Sequence, residues 1–200
     1  MALRLDMSKA YDRVEWSFLK DIMIQMGFND KWIALVMECI TTVSYSLLVN
    51  GEPHGNIIPT RGIYQGGPLS PYLFLLCLEG LHRLIQTIAN VGDIKGVSMC
   101  RNGPKLTHLL FADDSLLFCR ATRLECQKVL EILSTYERVS SQKLNKEKIA
   151  LFFSKPTPLN MQSEIMEELG VSNLKQYEAY LGLPALVKRN KRASFDQLKQ

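Results

Sequence analysis

An α+β fold, with helices packed on an antiparallel sheet, is predicted by two features of this 200-residue sequence. Stretches with helical and with strand periodicity are interleaved along the chain. The run "HLLFADDSLLF" (108–118) has two short apolar arms around a turn-forming "ADDS", which reads as a close β-hairpin. A close hairpin joins antiparallel strands, whereas a doubly wound parallel sheet needs a crossover between each strand pair.

The elements follow in order. "ALRL" (2–5) has the character of a strand end, with Asp6 just after it. "DRVEWSFLKDIMIQMG" reads as a helix with Asp12 as N-cap, Glu15 completing a capping box and Gly27 as the stop. A second helix is expected from about Asp30 to Thr41, with Ile33, Val36, Met37 and Ile40 on one face. "YSLLV", then Asn50-Gly51, then "NIIPT" reads as strand, turn and strand. Ser70-Pro71 marks the start of a long apolar helix, uncharged until Glu79 and so expected to be buried on most sides in its first half. After the hairpin, Val129, Leu130, Leu133, Tyr136 and Val139 fall on one helical face. "IALFF" (149–153) is a strand candidate, and Met161 to Leu169 a short helix stopped by Gly170. "YLGLP" (180–184) is a strand or turn element.

Composition sets outer bounds. The chain is 46% hydrophobic and 22% charged, as in ordinary globular proteins. No secretory signal pattern opens it, and its longest apolar run, "YLFLLCL", is far too short to cross a bilayer. Five scattered cysteines without metal-like spacing suggest reduced, mostly buried thiols, and three histidines form no ligand pattern. Residues 186–200 carry the whole net charge of +4, which suits either a polyanion partner or a solvated tail.

The chemistry centres on Asp113 and Asp114. Two carboxylates within an apolar run are costly unless paired or metal-bound. An acidic pair at a turn can mean no more than the turn itself. Asp6, however, also stands at the end of a strand candidate. Three carboxylates brought together by neighbouring strands would repel one another, and bound cations would remove that cost. Hard oxygen donors of this kind suit Mg²⁺, with two ions able to serve phosphoryl transfer.

Five ordered stretches then carry a resemblance: "LRLDMSKAYDRVEW", "RGIYQGGPLSPYLFLLCLEGL", "LLFADDSLLF", "SSQKLNKEKIALFFS" and "YLGLP". Together they resemble the reverse transcriptases of plant non-LTR (LINE-type) retrotransposons over nearly the whole chain. The resemblance implies a polymerase palm in residues 1–185 and the basic start of a thumb in 186–200, with the fingers largely missing. It implies an RNA-directed DNA polymerase that uses an RNA template, a DNA primer and dNTPs, with Mg²⁺ (or Mn²⁺) as cofactor. It implies no membrane partner and an intracellular setting, nucleus or cytoplasm. Without fingers and a full thumb, little or no processive synthesis is expected from this chain alone.

The resemblance also implies residue roles. Asp6, Asp113 and Asp114 would hold metal, with Asp6 and Asp113 the principal ligands. Tyr11 would be the aromatic gate beneath the incoming sugar, although its position just before the helix cap also permits a hydrophobic staple with Trp16. Gln65 and Gly66 would lie near the nascent base pair, and Arg61 would contact phosphate or template. Lys148 would protonate the pyrophosphate. Tyr180, Leu181 and Gly182 would belong to the primer grip, and Lys188, Arg189, Lys191 and Arg192 would contact primer–template. The chain departs from the family pattern at Tyr64 (usually basic), Gly67 (usually Asp) and Ser141 (usually Gly). The first two departures suggest a lost ion pair; the third suggests a strained turn if the family glycine has positive φ. An inactive remnant that binds nucleic acid weakly is the alternative reading. A two-metal nuclease lacks support, because the motif order is that of polymerases and no histidine neighbours the carboxylates in sequence.

Overall fold

The computed structural model describes residues 1–98, 100–101, 103–112, 114–171, 179–180 and 183–184. Asp113 and the segments 181–182 and 185–200 therefore lie outside the described residues, and of Tyr180 only the backbone is described. The first strand, β1 (Ala2–Asp6), is followed by α1 (Trp16–Gln25) and α2 (Asp30–Thr41). The hairpin β2 (Tyr45–Val49) and β3 (Glu52–Ile57) leads to the long helix α3 (Ser70–Val91). Two short strands, β4 (Val97–Ser98) and β5 (Lys105–Leu106), precede the hairpin β6 (His108–Phe111) and β7 (Asp114–Phe118). Helix α4 (Arg123–Ser140), β8 (Ala150–Phe152) and α5 (Leu159–Leu169) follow, and β9 (Ala179–Tyr180) pairs with β10 (Leu183–Pro184).

The central sheet has the strand order β6-β7-β1-β8 and is antiparallel throughout. This is the α+β arrangement expected from the hairpin. Strand alternation gives the sheet two unlike faces. Leu3, Leu5, Ser115, Leu117 and Leu151 are buried on the helix side. Arg4, Asp6, Asp114 and Leu116 lie on the other face and keep partial exposure. The core lies between the first face and the helices, where α3 packs against α1 and α4, and α5 against α4.

Several elements follow the sequence closely. Helix α2 runs from Asp30 to Thr41 with Ile33, Val36 and Ile40 buried, and its Asn29 cap accepts from the Lys31 N–H at 3.0 Å. Asn50 and Gly51 both have positive φ (54° and 86°), as a type I′ hairpin turn requires. The second arm of that hairpin begins at Glu52, directly after the turn, rather than at Asn56. Gly170 ends α5.

Other elements differ. Helix α1 begins at Trp16, so Asp12 is not its N-cap. The Tyr11 and Val14 carbonyls accept instead from the Ile63 and Gly62 N–H groups (3.0 and 2.7 Å), which ties residues 11–14 to a distant loop before the helix starts. With Glu15 as the cap, Trp16 is the first helical residue, one turn short of the position a staple to Tyr11 would need; Tyr11 stacks on Phe74, and Trp16 Nε1 donates to the Gly62 carbonyl at 2.7 Å. Gly62 is required there, since a Cβ would lie 3.0 Å from the Asp12 carbonyl and its φ is +89°.

In α3, Ser70 is the first helical residue rather than the cap, and its Oγ donates to the Tyr64 carbonyl at 2.5 Å. Among the described residues α3 is the one helix long and apolar enough to cross a bilayer. Its Leu73, Phe74, Cys77, Leu78, Leu81 and Ile85 form one buried face, whereas Leu69, Tyr72 and Leu75 are exposed. The first half is thus buried on one side rather than on most. Val139 of α4 is likewise exposed, and Cys126 and Ile132 complete the buried face. Cys77, Cys119 and Cys126 are buried, Cys39 and Cys100 exposed, and all five are free thiols. Burial pushes the Cys77 and Cys119 thiols up to about 12.

Ser141 ends α4 with φ +57° and ψ 8°, a left-handed conformation that a non-glycine residue adopts at a cost. Ser141→Gly is expected to raise stability by about 1 kcal/mol in urea unfolding. Two histidines the sequence left unpaired also meet. His82 Nδ1 on α3 and His108 Nε2 on β6 are 2.8 Å apart, and Thr107 Oγ1 stands 2.9 Å from His108 Nδ1. Burial, and then the neighbouring His82, lower the pKa of His108, with Glu79 opposing. The unfolded chain therefore binds this proton more readily than the folded one. Stability should decline as pH falls below the ordinary histidine value of 6.5, and His108→Gln should flatten that decline in melts between pH 5 and 7.5.

Candidate active site

The hairpin that carries the acidic pair turns more tightly than "ADDS" suggested. Phe111 pairs directly with Asp114, and Ala112, just after β6, has φ +48°. Asp114 is thus a strand residue. Half of β6 is also open: Leu109 and Phe111 are exposed on the same face as Asp114.

Across the sheet, Asp6 is the direct cross-strand partner of Asp114. Two carboxylates opposite each other repel. Each meets one basic side chain on the open face. Arg4 donates to Asp114 Oδ1 from both Nε (3.0 Å) and Nη2 (2.7 Å). Lys148 Nζ stands 3.1 Å from Asp6 Oδ2 and 3.4 Å from Oδ1.

Local chain paths explain both cations. Arg4 precedes Asp6 by two residues in a strand, so the two share a face. Lys148 ends a 3₁₀ turn (Lys146–Lys148) that backbone pairing presses against the end of β1. Ser8 N–H donates to the Lys143 carbonyl at 2.7 Å, Asn145 N–H donates to the Asp6 carbonyl at 2.9 Å, and Met7 bridges Leu144. The Gln142 side chain, almost wholly buried, donates from Nε2 to the Ala10 carbonyl at 3.0 Å and holds the turn that carries Tyr11.

Tyr11 is half-buried, its ring stacked on Phe74 at 5.0 Å between centroids and 23° between planes. A second group of expected site residues lies along a neighbouring cleft lined by Asp12, Tyr45, Arg61, Gly62, Tyr64 and Gln65. Arg61 there approaches Glu15 at 3.4 Å. Gln65 and Gly66 form the centre of a turn closed by Gly67 N–H donating to the Tyr64 carbonyl at 3.1 Å, with Gly66 at φ +96°. Residues 64 and 67 are in contact, since a Cβ on Gly67 would lie 3.3 Å from Tyr64 Cδ1. A basic and an acidic residue at those two positions would be close enough to pair.

The structure therefore brings Asp6, Asp114 and Lys148 together, and Arg61, Gln65 and Gly66 at another place, with Tyr11 tied to both by chain and backbone. Among the described residues no third acidic, histidine or cysteine side chain joins Asp6 and Asp114 as a metal-holding group. The two carboxylates present are the hard-oxygen donors a divalent cation takes, partly exposed on an open face, and they fit such an ion. Arg4, Gln142 and Phe74 were missed by sequence reasoning. Arg4 was legible from the strand period; the other two were not, because their partners are remote in sequence.

Comparison with known proteins shows what the chain as a whole is similar to. A family model described as "Reverse transcriptase (RNA-dependent DNA polymerase)" matches residues 1–183. A Pol polyprotein from the type-1 retrotransposable element R2 of Popillia japonica is 30% identical over 146 residues, covering 73% of this chain and 23% of that protein. The R2DM element polyprotein of Drosophila melanogaster is 28% identical over 187 residues, covering 90% of this chain and 17% of that protein. An uncharacterized mitochondrial protein of Arabidopsis thaliana is 47% identical over 68 residues, 34% of this chain and 56% of that protein. The chain thus spans about a fifth of the length of the R2 polyproteins. In fold it is similar to telomerase from Candida tropicalis in complex with a fragment of telomeric RNA (TM-score 0.59, 14% identity, covering all of this chain and 33% of that one). It is also similar to the corresponding Candida albicans telomerase complex (TM-score 0.58, 17% identity, covering 78% and 27%).

Proposed function

Because this chain belongs to the reverse transcriptase (RNA-dependent DNA polymerase) family, we propose that it forms the palm of an RNA-directed DNA polymerase from a plant LINE-type retrotransposon. The reaction is attack of a primer 3′-OH on the α-phosphate of a dNTP, with pyrophosphate leaving. The observation that carries this reading is the direct pairing of Asp6 with Asp114 across β1 and β7, within a chain matched to the family over 1–183.

In this mechanism Asp6, Asp114 and Asp113 hold the divalent cations, Mg²⁺ or Mn²⁺. Bound there, the cations would supply electrostatic stabilisation of the charge that develops on the transferred phosphoryl group. Tyr11 lies under the incoming sugar, braced by Phe74, and rejects a 2′-OH. Lys148 supplies a proton to the departing pyrophosphate; its support is the position of Nζ beside Asp6. Arg61, Gln65 and Gly66 contact template or nucleotide. Tyr180, Leu181 and Gly182 guide the primer, and Lys188, Arg189, Lys191 and Arg192 contact the phosphate backbone. Positioning contributes much of such catalysis, so synthesis by these residues alone is distributive.

The test is single-nucleotide extension of a labelled DNA primer on an RNA template by the purified chain with Mn²⁺ or Mg²⁺. Metal-dependent addition supports the polymerase. A second reading, a binding remnant, is favoured by the contact between positions 64 and 67, where the family's ionic residues are replaced by Tyr and Gly. Nucleic-acid binding that weakens steeply with salt but supports no metal-dependent extension would establish that reading instead.

A further inference from the structure

The acidic pair carries one feature that metal binding does not account for. Arg4 directs two N–H groups onto a single oxygen, Asp114 Oδ1, at 2.7 and 3.0 Å. The side chain reaches diagonally across the sheet, because Arg4 pairs in register with Leu116, two residues beyond Asp114. Both partners are partly buried, with 30% and 24% of their side chains exposed. The interaction is therefore less screened than a pair standing free in solvent.

The second carboxylate has a looser partner. The Lys148 side chain is 63% exposed and makes longer contacts with Asp6, at 3.1 and 3.4 Å. A lysine on a flexible stem can leave Asp6 with little rearrangement, whereas a strand-borne guanidinium that donates two hydrogen bonds resists displacement. The two acids therefore differ in how tightly their protein counter-ions hold them.

We propose that Arg4 is a built-in counter-ion for the acidic pair, which relieves the repulsion between Asp6 and Asp114 when no metal is bound and competes with a divalent cation for the Asp114 carboxylate. This rests on the reading of Asp6 and Asp114 as metal-holding residues. The guanidinium opposes metal loading because it holds Oδ1 and places a positive charge beside the carboxylate that a small divalent cation would approach to about 2.0–2.1 Å. Arg4 thereby sets metal affinity without touching substrate, and it is a positioning residue rather than a catalytic one. The arrangement keeps this end of the β1–β7 pair stable without metal at the cost of weaker binding.

The test is Mn²⁺ titration followed by electron paramagnetic resonance, paired with thermal unfolding in EDTA and in Mn²⁺. Arg4→Gln should bind Mn²⁺ about threefold to tenfold more tightly than wild type. It should also melt lower in EDTA and gain more from Mn²⁺ than wild type does. Arg4→Lys, which keeps the charge but loses the two-donor fork, should fall between them. Adding Asp114→Asn to Arg4→Gln should abolish the gain in affinity. Equal Mn²⁺ affinity in wild type, Arg4→Gln and Arg4→Lys, with Asp6→Asn still weakening binding, would overturn the role of Arg4 alone. Mn²⁺ binding that is indifferent to Asp6→Asn would instead overturn the metal site and this inference with it.

Discussion

Asp6→Asn is expected to lower first-nucleotide addition about 10³-fold while leaving the fold intact. The size follows from the several kcal/mol that cation chemistry contributes to phosphoryl transfer, at tenfold per 1.4 kcal/mol. An amide is close to isosteric with the carboxylate but carries no charge to hold a cation. The fold should tolerate the change. Asp6 lies at the end of β1, and its ion pair with the largely exposed Lys148 is of the kind that contributes at most about 1 kcal/mol. Removing one of two opposed carboxylates also relieves repulsion with Asp114. The melting temperature in EDTA should therefore stay level or rise slightly. A fall in extension with an unchanged melt would separate a chemical from a structural role. Extension at the wild-type rate would remove Asp6 from the active site.

Phe74→Ala should be the most damaging core change, with a loss of about 3–5 kcal/mol in urea unfolding. Phe74 is fully buried on α3 and carries the Tyr11 ring on its face. The truncation leaves a cavity in the buried face of α3 beneath the Tyr11 ring, and a close-packed core collapses only partly around such a void. Such a loss is a large part of the total stability of an ordinary domain. The gentler Phe74→Leu keeps most of the volume and removes only the aromatic platform, so it should fold. If Tyr11 gates the sugar, Phe74→Leu should lower the preference for dNTP over rNTP without changing primer–template affinity. An unchanged preference would mean that the stack serves packing alone.

Much of the architecture was legible because it rests on local chemistry. Asn50-Gly51 specifies a tight hairpin turn whatever surrounds it, and the periodic apolar positions of α2 mark a helix with a buried stripe. Ser141 could be flagged from sequence, since the family's glycine at that position suggested a positive φ, and the structure gives it φ +57°. The errors fall where tertiary partners compete for the same groups. Asp12, Glu15 and the apolar run after them satisfy every rule for a helix start at Asp12. The loop around Gly62 takes the Tyr11 and Val14 carbonyls, and α1 starts later. The exposed row Leu69, Tyr72 and Leu75 likewise depends on what α3 packs against, which apolar composition alone does not encode.

The candidate site divides in the same way. The ordered motifs by themselves determined the family, the acidic residues and the antiparallel hairpin, because residue type and spacing carry that information directly. Only the tertiary structure decided that Asp6 faces Asp114, that Arg4 and Lys148 neutralise them, and that Tyr11 rests on Phe74. Register sets those contacts, and a slip of one residue would turn every side chain of β1 to the other face. The register is held by Leu3 and Leu5, buried against the helices, so the core determines which charges meet on the open side of the sheet.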